Sequence, residues 1–391
     1  MDIEPLTPAF IAPRSGRYIY IACPWTQKGG GMFKVADYLI QAQAFNTPPD
    51  TAELRALDTR GGANALCSLW FLMLALGKIV RGKLSGELAG VHVNMAERLS
   101  FFRKGAVVAW CRMLGVPVVL HLHAAQLHHS YRSSPKVLQA LMRWIFSLPS
   151  RCVVLGRAAR RFVNEELQVP LDRIEIVING VPRPTEPRRN PIAQKVQRVL
   201  FVGNLGERKG VSDLLRALAV PGLETARLEV TFAGDGDIDG YRKRSRELGV
   251  DRFVRFAGWS DQQEVARLMA RADVLVLVSY DEGLPLVILE AMANSVAVIC
   301  SPVGEIPSVL TDGVNACFVT AGDVPGIAFA LQQVLRHAPV REMLESNGHA
   351  LYEKQFSLGR FSAAIAAIHR REFGIAGLPV ESSLSAQEAS F

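Results

Sequence analysis

Short runs of consecutive apolar residues alternate along the chain with longer stretches in which apolar residues recur at helical spacing. Runs that are apolar throughout are typical of parallel strands covered on both faces. The predicted strands are residues 18–22, 91–94, 116–121, 152–155 and 174–178 in the first half, and 199–202, 228–233, 253–256, 274–278 and 297–300 in the second. Because strands and helices alternate in both halves, the pattern predicts an α/β fold with two doubly wound parallel-sheet domains.

A proline-rich segment separates the two halves. Residues 182–191, PRPTEPRRNP, contain four Pro and three Arg, which favours a linker over a helix or a central strand. The predicted boundaries are residues 1–187 for the first domain, 188–357 for the second, 358–375 for a C-terminal helix that packs back on the first domain, and 376–391 for a disordered tail. The cleft between two such domains is the default place for a ligand.

The most apolar stretch is residues 66–80, with Lys78 inside it. Fifteen residues are short for a membrane span, so the stretch predicts a buried helix. The N-terminal residues lack the basic and apolar regions of a signal peptide, and the six cysteines are scattered singly. We therefore expect free thiols and a cytoplasmic protein.

The chain of 391 residues carries a formal net charge of +7 and has a pI of about 9.2. A modest basic excess suits phosphate-bearing ligands, nucleic acid or an anionic membrane surface, and it does not choose among them. Nucleic-acid readers usually show aromatic platforms or known motifs, and neither is evident in this sequence, so we expect no nucleic-acid partner.

The segment 281–293, DEGLPLVILEAMA, holds the first candidate site residues. Gly283 permits a sharp turn after a strand, and Pro285 suits the first position of a helix. Free amides of Gly283, Leu284 and the first helical turn would face an anionic diphosphate. Glu282 would then lie near the sugar and Glu290 near a ribose. The alternative is that Glu282 is a solvated loop carboxylate and Glu290 pairs on the helix.

A second segment, 199–211, VLFVGNLGERKGV, runs from a strand through a loop with Gly203 and Asn204 to a helix. Arg208 and Lys209 stand immediately before that helix, where cations oppose the helix dipole. A diphosphate bound between them would explain this placement, because Arg binds phosphate oxygens as a fork and Lys as a point charge. The alternative is that both are exposed loop charges.

The segment from Glu282 to Glu290 resembles the E-x7-E signature of the family 4 retaining glycosyltransferases, which adopt the GT-B fold of two Rossmann-like domains facing a cleft. The resemblance implies that Glu290 binds the nucleotide ribose and that Glu282 contacts the donor sugar. The loop 199–211 is similar to the phosphate loop of the family, with Lys209 at the matching lysine. Many members have Arg where this chain has Asn204, which makes Arg208 the second candidate phosphate ligand.

Several glycines also match the family pattern. Gly234 lies in the turn FAGDGD after a strand, and Gly258 follows another strand in the stretch that usually flanks the donor base. Gly30 and Gly31 belong to the segment KGGGM after the first strand, where glycine lets the backbone approach a ligand closely. The resemblance implies donor contacts for these glycines, whereas a flexible loop is the alternative for Gly30 and Gly31.

Candidate acceptor-side residues lie in the first half. His121 and His123 close the third predicted strand and point to the same face. The family often has a functional His here, and we favour His123 as a catalytic residue over His121. Ser100, Arg103 and Lys104 resemble the acceptor segment of enzymes that build bacterial envelope polysaccharides. The surrounding residues 94–114 form either a crossover helix with a solvated basic face or a membrane-surface patch.

Together these features predict a retaining glycosyltransferase that transfers a hexosyl unit in bacterial envelope or exopolysaccharide biosynthesis. The expected donor is a nucleotide diphosphate sugar, such as GDP-mannose or a UDP-sugar. The expected acceptor is a glycan or a polyprenyl-diphosphate-linked sugar, with an anionic membrane surface as a further partner. The resemblance implies no metal or other cofactor. The alternatives are a sugar-nucleotide epimerase of the same fold and a non-catalytic module that binds glycan or nucleic acid.

Overall fold

The fold consists of two parallel sheets whose strands alternate with helices. A computed structural model of the chain describes residues 16–26, 30–45, 52–62, 65–97, 99–124, 126–186 and 196–375. Within these ranges the paired strands of both sheets are parallel. The predicted fold class is thus confirmed.

The first domain contains six described strands and six helices. They are β1 (Tyr18–Cys23), α1 (Gly30–Phe45), β2 (Glu53–Asp58), α2 (Ala65–Leu84), β3 (Leu88–Met95), α3 (Leu99–Met113), β4 (Val118–Leu122), α4 (Leu127–Arg132), α5 (Lys136–Ser147), β5 (Arg151–Val154), α6 (Arg157–Glu165) and β6 (Ile174–Ile176). The sheet order is β2-β1-β3-β4-β5-β6. The strand order reverses between β1 and β3, which is where ligands of doubly wound sheets usually bind.

The second domain is described by six further strands and the helices between them. They are β7 (Gln197–Val202), α7 (Val211–Leu218), β8 (Leu228–Ala233), α8 (Ile238–Glu247), β9 (Val254–Gly258), α9 (Gln262–Arg271), β10 (Val274–Leu277), α10 (Leu286–Ala293), β11 (Ala297–Cys300), α11 (Ile306–Val309), β12 (Cys317–Phe318), α12 (Val324–Arg336) and α13 (Ala338–Leu351). The order β12-β11-β10-β7-β8-β9 places the reversal between β7 and β10.

Each predicted strand overlaps an observed one, with ends displaced by a few residues. Two observed strands, β2 and β12, are absent from the prediction. Both are edge strands, paired on one side only. The sequence of β2, ELRALD, is too polar to form a continuous apolar run, and β12 is two residues long.

The chain crosses between the domains twice, at adjacent points. Val181 pairs in parallel with Ser357, and the amides of Val181 and Leu358 donate to Phe356 O and Val181 O at 2.9 Å each. The last helix, α14 (Leu358–Phe373), then packs against α1 and β4 of the first domain. The predicted boundary at 187/188, part of the predicted linker and the predicted tail at 376–391 lie outside the described residues.

Helix α2 differs from its prediction as a buried helix. Leu72, Ala75 and Ile79 are buried in the core of the first domain, but the side chains on the opposite face are exposed, including that of Trp70. The prediction is therefore wrong for the outer half of the helix. Among the helices of the described residues, none combines the length and the hydropathy needed to cross a bilayer.

Candidate active site

A cavity of about 820 Å³ lies between the two domains and is lined by residues of both. Several lining residues follow directly after the carboxyl ends of strands, which is the usual position of a ligand site in parallel sheets. It brings together most of the residues predicted from the sequence: Gly30, Gly31, His123, Gly203, Asn204, Arg208, Lys209, Gly234, Glu282, Gly283, Leu284, Pro285 and Glu290.

Glu282 is the centre of a charged cluster in this cavity. Its Oε1 accepts hydrogen bonds from Lys209 Nζ and, at 2.7 Å, from Ser279 Oγ. Arg208 Nη1 lies 4.0 Å from Glu282 Oε2 and donates to Asp281 O at 2.7 Å. The carboxylate is 7% exposed, so both cations are held beside a largely buried negative charge. The predicted group of one acid and two cations therefore forms a single cluster.

The loop that carries the cations is fixed to the strand that carries the acid. Tyr280 N donates to Arg208 O at 2.9 Å, and Gly210 ends the loop with φ +70°. A Cβ on Gly210 would overlap the carbonyl oxygen of Val278. Only glycine therefore permits this approach without displacement of one of the two backbones.

A similar close approach occurs at Gly234, where φ is +150° and a Cβ would overlap Gly203 O. The turn after β8 thereby lies directly against the phosphate-loop candidate, and Asn204 Nδ2 donates to Asp235 O at 3.1 Å. Gly258 has φ +77° at the end of β9 and accepts from Gly234 N at 2.8 Å. Gly258 does not line the cavity, whereas the next residue, Trp259, does.

Helix α10 points its N-terminus into the cavity. Gly283, Leu284 and Pro285 line the cavity immediately before the helix, and Pro285 is its N-cap without a side-chain hydrogen bond. Ile288 N donates to Pro285 O at 3.1 Å, and the amides before it have no carbonyl partner within the helix, so this end carries a partial positive charge. This end of α10 can therefore bind an anion next to Arg208 and Lys209.

Glu290 lies at the other end of the same cavity wall and contacts the first domain. Its Oε1 accepts from Lys34 Nζ at 3.0 Å and from Tyr38 OH at 3.2 Å, and Gln262 Nε2 donates to Tyr38 OH at 3.2 Å. Burial, and then the charge of Glu290, raise the pKa of Tyr38. Glu290 Oε2 is buried and has no hydrogen-bond partner among the described residues. The carboxylate thus joins the two domains through one of its oxygens.

Family comparisons match both domains. Residues 182–350 match the family model "Glycosyl transferases group 1", and residues 43–180 match "Glycosyl transferase 4-like domain". Each of the two domains thus matches a glycosyltransferase family model.

Similar curated proteins include an uncharacterised glycosyltransferase of Methanocaldococcus jannaschii, 27% identical over 62% of this chain and 66% of that protein. Another is a lipopolysaccharide core biosynthesis glycosyltransferase of Rhizobium meliloti, 35% identical over 41% of this chain and 45% of that protein. The chain thus aligns with less than two thirds of the length of these glycosyltransferases.

Solved glycosyltransferase structures share the fold. Sucrose-phosphate synthase of Thermosynechococcus elongatus superposes with a TM-score of 0.74 at 18% identity, covering 92% of this chain and all of that chain. The Anabaena protein HepE in complex with UDP and glucose gives 0.68 at 18% identity, covering 90% of this chain and 99% of that chain. The two parallel sheets facing a cleft therefore have the GT-B fold of these structures.

His123 faces the cleft between the domains, and His121 does not. His123 lines the cavity and its Nε2 lies 3.1 Å from Asn94 Oδ1. Burial lowers the pKa of His123 to about 3, so the imidazole is neutral near pH 7. His121 is fully buried, with its Nδ1 3.3 Å from His92 Nε2. His121 therefore offers no surface to an acceptor.

The other predicted acceptor residues also lie apart from the cavity lining. Lys104 is completely buried and donates to Thr59 Oγ1 at 2.7 Å, so it is not free to contact an acceptor. Ser100 Oγ and Arg103 Nε are buried without a hydrogen-bond partner among the described residues. The placement of α3 explains this, because the predicted side chains turn toward the core of the first domain rather than into the cleft.

A second cavity of about 520 Å³ adjoins the first across Glu282 and His123. Helices α4 and α6 line it with His128, His129 and Arg161. Glu305 closes the wall between the domains: its carboxylate accepts from Ala159 N at 2.7 Å and Ala158 N at 3.3 Å at the start of α6. Glu305 of the second domain thus caps the first turn of α6 in the first domain.

Proposed function

We propose that this chain is a retaining glycosyltransferase that transfers a hexosyl unit from a nucleotide diphosphate sugar, either GDP-mannose or a UDP-sugar. The observation that carries the proposal is the cluster of Glu282, Lys209 and Arg208 beside the N-terminus of α10, inside the interdomain cavity. The cations and the helix N-terminus suit a diphosphate, which bears its charge between the nucleoside and the sugar.

The two acidic residues would orient this donor. Glu290 has one carboxylate oxygen without a hydrogen-bond partner among the described residues, which suits a ribose hydroxyl. Glu282 lies where the second cavity joins the first, which suits a contact with the sugar. Trp259 and Asp261 line the cavity after β9 and would flank the base. The donor would then extend from α1 and α9 toward His123 of the first domain.

Transfer breaks the bond between the anomeric carbon and the diphosphate oxygen, and the nucleotide diphosphate leaves with the electron pair. Arg208, Lys209 and the amides of α10 would stabilise the charge that builds on the leaving phosphate. The acceptor oxygen would bond the anomeric carbon from the same face, and its proton would pass to the leaving phosphate. Because Glu282 is held by Lys209 and Ser279, its proposed role is to position the sugar rather than to attack it.

The acceptor would approach through the second cavity, on the first-domain side of Glu282. Its lining carries charges of both signs, with Arg132 and Arg161 beside Glu165, Glu166 and Asp281, and suits the hydroxyl groups of a glycan linked to a polyprenyl diphosphate. Such an acceptor is held in a membrane, so the enzyme would work at the inner surface of the plasma membrane in envelope or exopolysaccharide synthesis. Transfer would need no metal ion, so turnover should be unchanged after treatment with a chelator.

A thermal-shift panel of nucleotide sugars tests the donor proposal. The true donor should raise the unfolding temperature by mass action, and Lys209→Ala should remove most of that shift. Lys243→Ala, on the exposed surface of α8, is the matched control and should keep it. A protein that responds to no nucleotide sugar would contradict the proposal. Donor turnover to an isomeric sugar nucleotide without any acceptor would identify an epimerase instead.

A further inference from the structure

Helices α2, α3 and α5 form one layer on the first sheet, and the outer surface of this layer is apolar. Helix α3 contacts both of the others. The exposed large side chains include Leu69, Trp70, Met73 and Leu74 of α2, Phe102 of α3 and Trp144 of α5. The four on α2 recur at helical spacing and therefore form one continuous stripe.

The core of the domain does not require this stripe. Helix α2 already buries Leu72, Ala75 and Ile79 against the first sheet, on its opposite side. The helix is thus apolar on two faces, and one of them has no partner among the residues that the structure describes. Contiguous exposed apolar surface of this kind usually marks a site of interaction with a protein or a membrane.

Charge distinguishes between these two kinds of partner. Helices α2, α3 and α5 contain no Asp or Glu, whereas Lys78, Arg81, Lys83, Arg112 and Lys136 are exposed on them. A protein partner that covers an apolar face does not need one sign of charge around it. Trp and Leu surrounded by Lys and Arg, with acidic side chains excluded, match the boundary between acyl chains and anionic headgroups.

We propose that the outer face of α2, α3 and α5 docks on an anionic membrane surface. Trp70 and the neighbouring apolar side chains of α2 would enter the headgroup boundary. Lys78, Arg81 and Lys83, farther along the same helix, would contact the lipid phosphates.

The outer face of α2, α3 and α5 begins on the side of the first domain that faces the cavity. Both α2 and α3 follow parallel strands and therefore begin at the carboxyl edge of the sheet, on the cleft side. Ala96 and Glu97 line the cavity, and α3 begins at Leu99 immediately beyond them. A docked face would thus hold the cavity mouth next to the bilayer. This last step rests on the proposed function, because it identifies the acceptor as a membrane-embedded one.

Vesicle co-sedimentation of the full chain tests the surface without donor or acceptor. Binding should be stronger to vesicles of phosphatidylglycerol and phosphatidylcholine than to phosphatidylcholine alone. Trp70→Ser should weaken binding about tenfold, the expected effect of removing one large apolar side chain from the boundary. Phe329→Ser is the matched control, because Phe329 lies on the second domain and, like Trp70, is 63% exposed.

Two double variants test the attraction between the basic side chains of α2 and the anionic lipid headgroups. Arg81→Glu with Lys83→Glu should weaken binding to anionic vesicles roughly tenfold or more, because each reversed charge removes attraction and adds repulsion. Lys243→Glu with Arg246→Glu, on exposed positions of α8, makes the same change in net charge on the other domain and should have little effect. Equal loss in both pairs would show that only the net charge matters and would overturn the proposed surface.

Sedimentation velocity measures the oligomeric state of the chain, and the donor-induced thermal shift measures whether the cavity still binds donor. A dimer of the unaltered chain that Trp70→Ser converts to a monomer would mean that a second copy covers the face, which overturns the proposal. Absence of binding to anionic vesicles at low salt would overturn it as well. Trp70→Ser should leave the donor-induced shift unchanged. Vesicle binding without sugar transfer would contradict the proposed function while leaving the docking surface supported.

Discussion

Lys104 is an ionisable side chain buried in the first domain with a hydroxyl as its hydrogen-bond partner. Its Nζ donates to Thr59 Oγ1 at 2.7 Å, and burial lowers the pKa of Lys104 to about 7. In the unfolded chain the pKa of a lysine is about 10.4. The folded protein therefore binds this proton less tightly than the unfolded chain.

The contribution of this lysine to the free energy of unfolding should rise with pH between about 7 and 10, whereas the thiols of Cys23, Cys111 and Cys152, whose pKa burial raises to about 12, contribute the opposite trend above about pH 8.5. The slope has a positive sign, since the unfolded state binds more protons, and each pH unit adds up to about 1.4 kcal/mol. Lys104→Met should flatten that slope, whereas Lys243→Met, at an exposed position, should preserve it. Urea unfolding at pH 7, 8 and 9 measures the difference. Equal slopes in all three proteins would show that Lys104 is not the cause.

Variants of Glu282 and Lys209 should have different effects on kcat and on the donor KM in steady-state kinetics with a nucleotide sugar. Glu282→Ala should lower kcat by roughly 100-fold or more, because it removes the carboxylate that positions the sugar. Lys209→Ala should also raise the donor KM, because the lysine binds the diphosphate before and during transfer. Glu247→Ala on α8 serves as the surface control. Near-normal turnover of Glu282→Ala would refute its assigned role.

At the scale of elements, the loop between β7 and α7 depends on Gly210. A side chain there would meet the Val278 carbonyl group, so Gly210→Ala should displace Arg208 and Lys209 from Glu282. We expect lower thermal stability and weaker donor binding. Gly313→Ala is a close control, because Gly313 has φ +67° but open space around its Cα. Both variants share the backbone strain of about 1 kcal/mol or more, so any larger loss in Gly210→Ala measures the clash.

The sequence predicted the strands and loops that form the cleft better than it predicted the contacts across the cleft and the exposed face of α2. Apolar strands and the segment from Glu282 to Glu290 are local patterns, and each can be recognised within a dozen consecutive residues. Lys34 and Tyr38 were missed because they meet Glu290 only across the cleft, although their spacing of four on α1 after the glycine segment could have suggested a shared face. Helix α2 misled the prediction because a helix apolar on two faces has the same composition as a buried one.

At the scale of the whole molecule, histidines join α14 to the first sheet. His369 Nε2 lies 2.8 Å from His92 Nδ1, and His92 contacts His121 in turn. Burial lowers the pKa of His92 to about 4 and also lowers the pKa values of His121 and His369. Because these side chains protonate readily only when the chain unfolds, they should make the fold sensitive to acid.

The free energy of unfolding should therefore fall as the pH decreases from about 6.5 toward 4, by roughly 1.4 kcal/mol per pH unit for each histidine kept neutral. His369→Phe should reduce the steepness of that fall, because one titrating group is removed from the pair. His337→Phe, at the exposed residue that directly precedes α13, should leave it unchanged. Denaturant unfolding between pH 4 and 7 measures both, and identical curves for His369→Phe and the unaltered chain would exclude the histidine pair as the cause.

The return of α14 to the first domain has a consequence for synthesis. Phe361, Ile365, Ile368 and Phe373 are buried on this helix, in one core with residues of α1 and β1, yet the ribosome makes them after the whole second domain. At ordinary elongation rates the delay is roughly ten seconds or more. During that time the surfaces of α1 and β1 that α14 covers face water. The length of the second domain thus sets how long a nascent chain needs protection from aggregation.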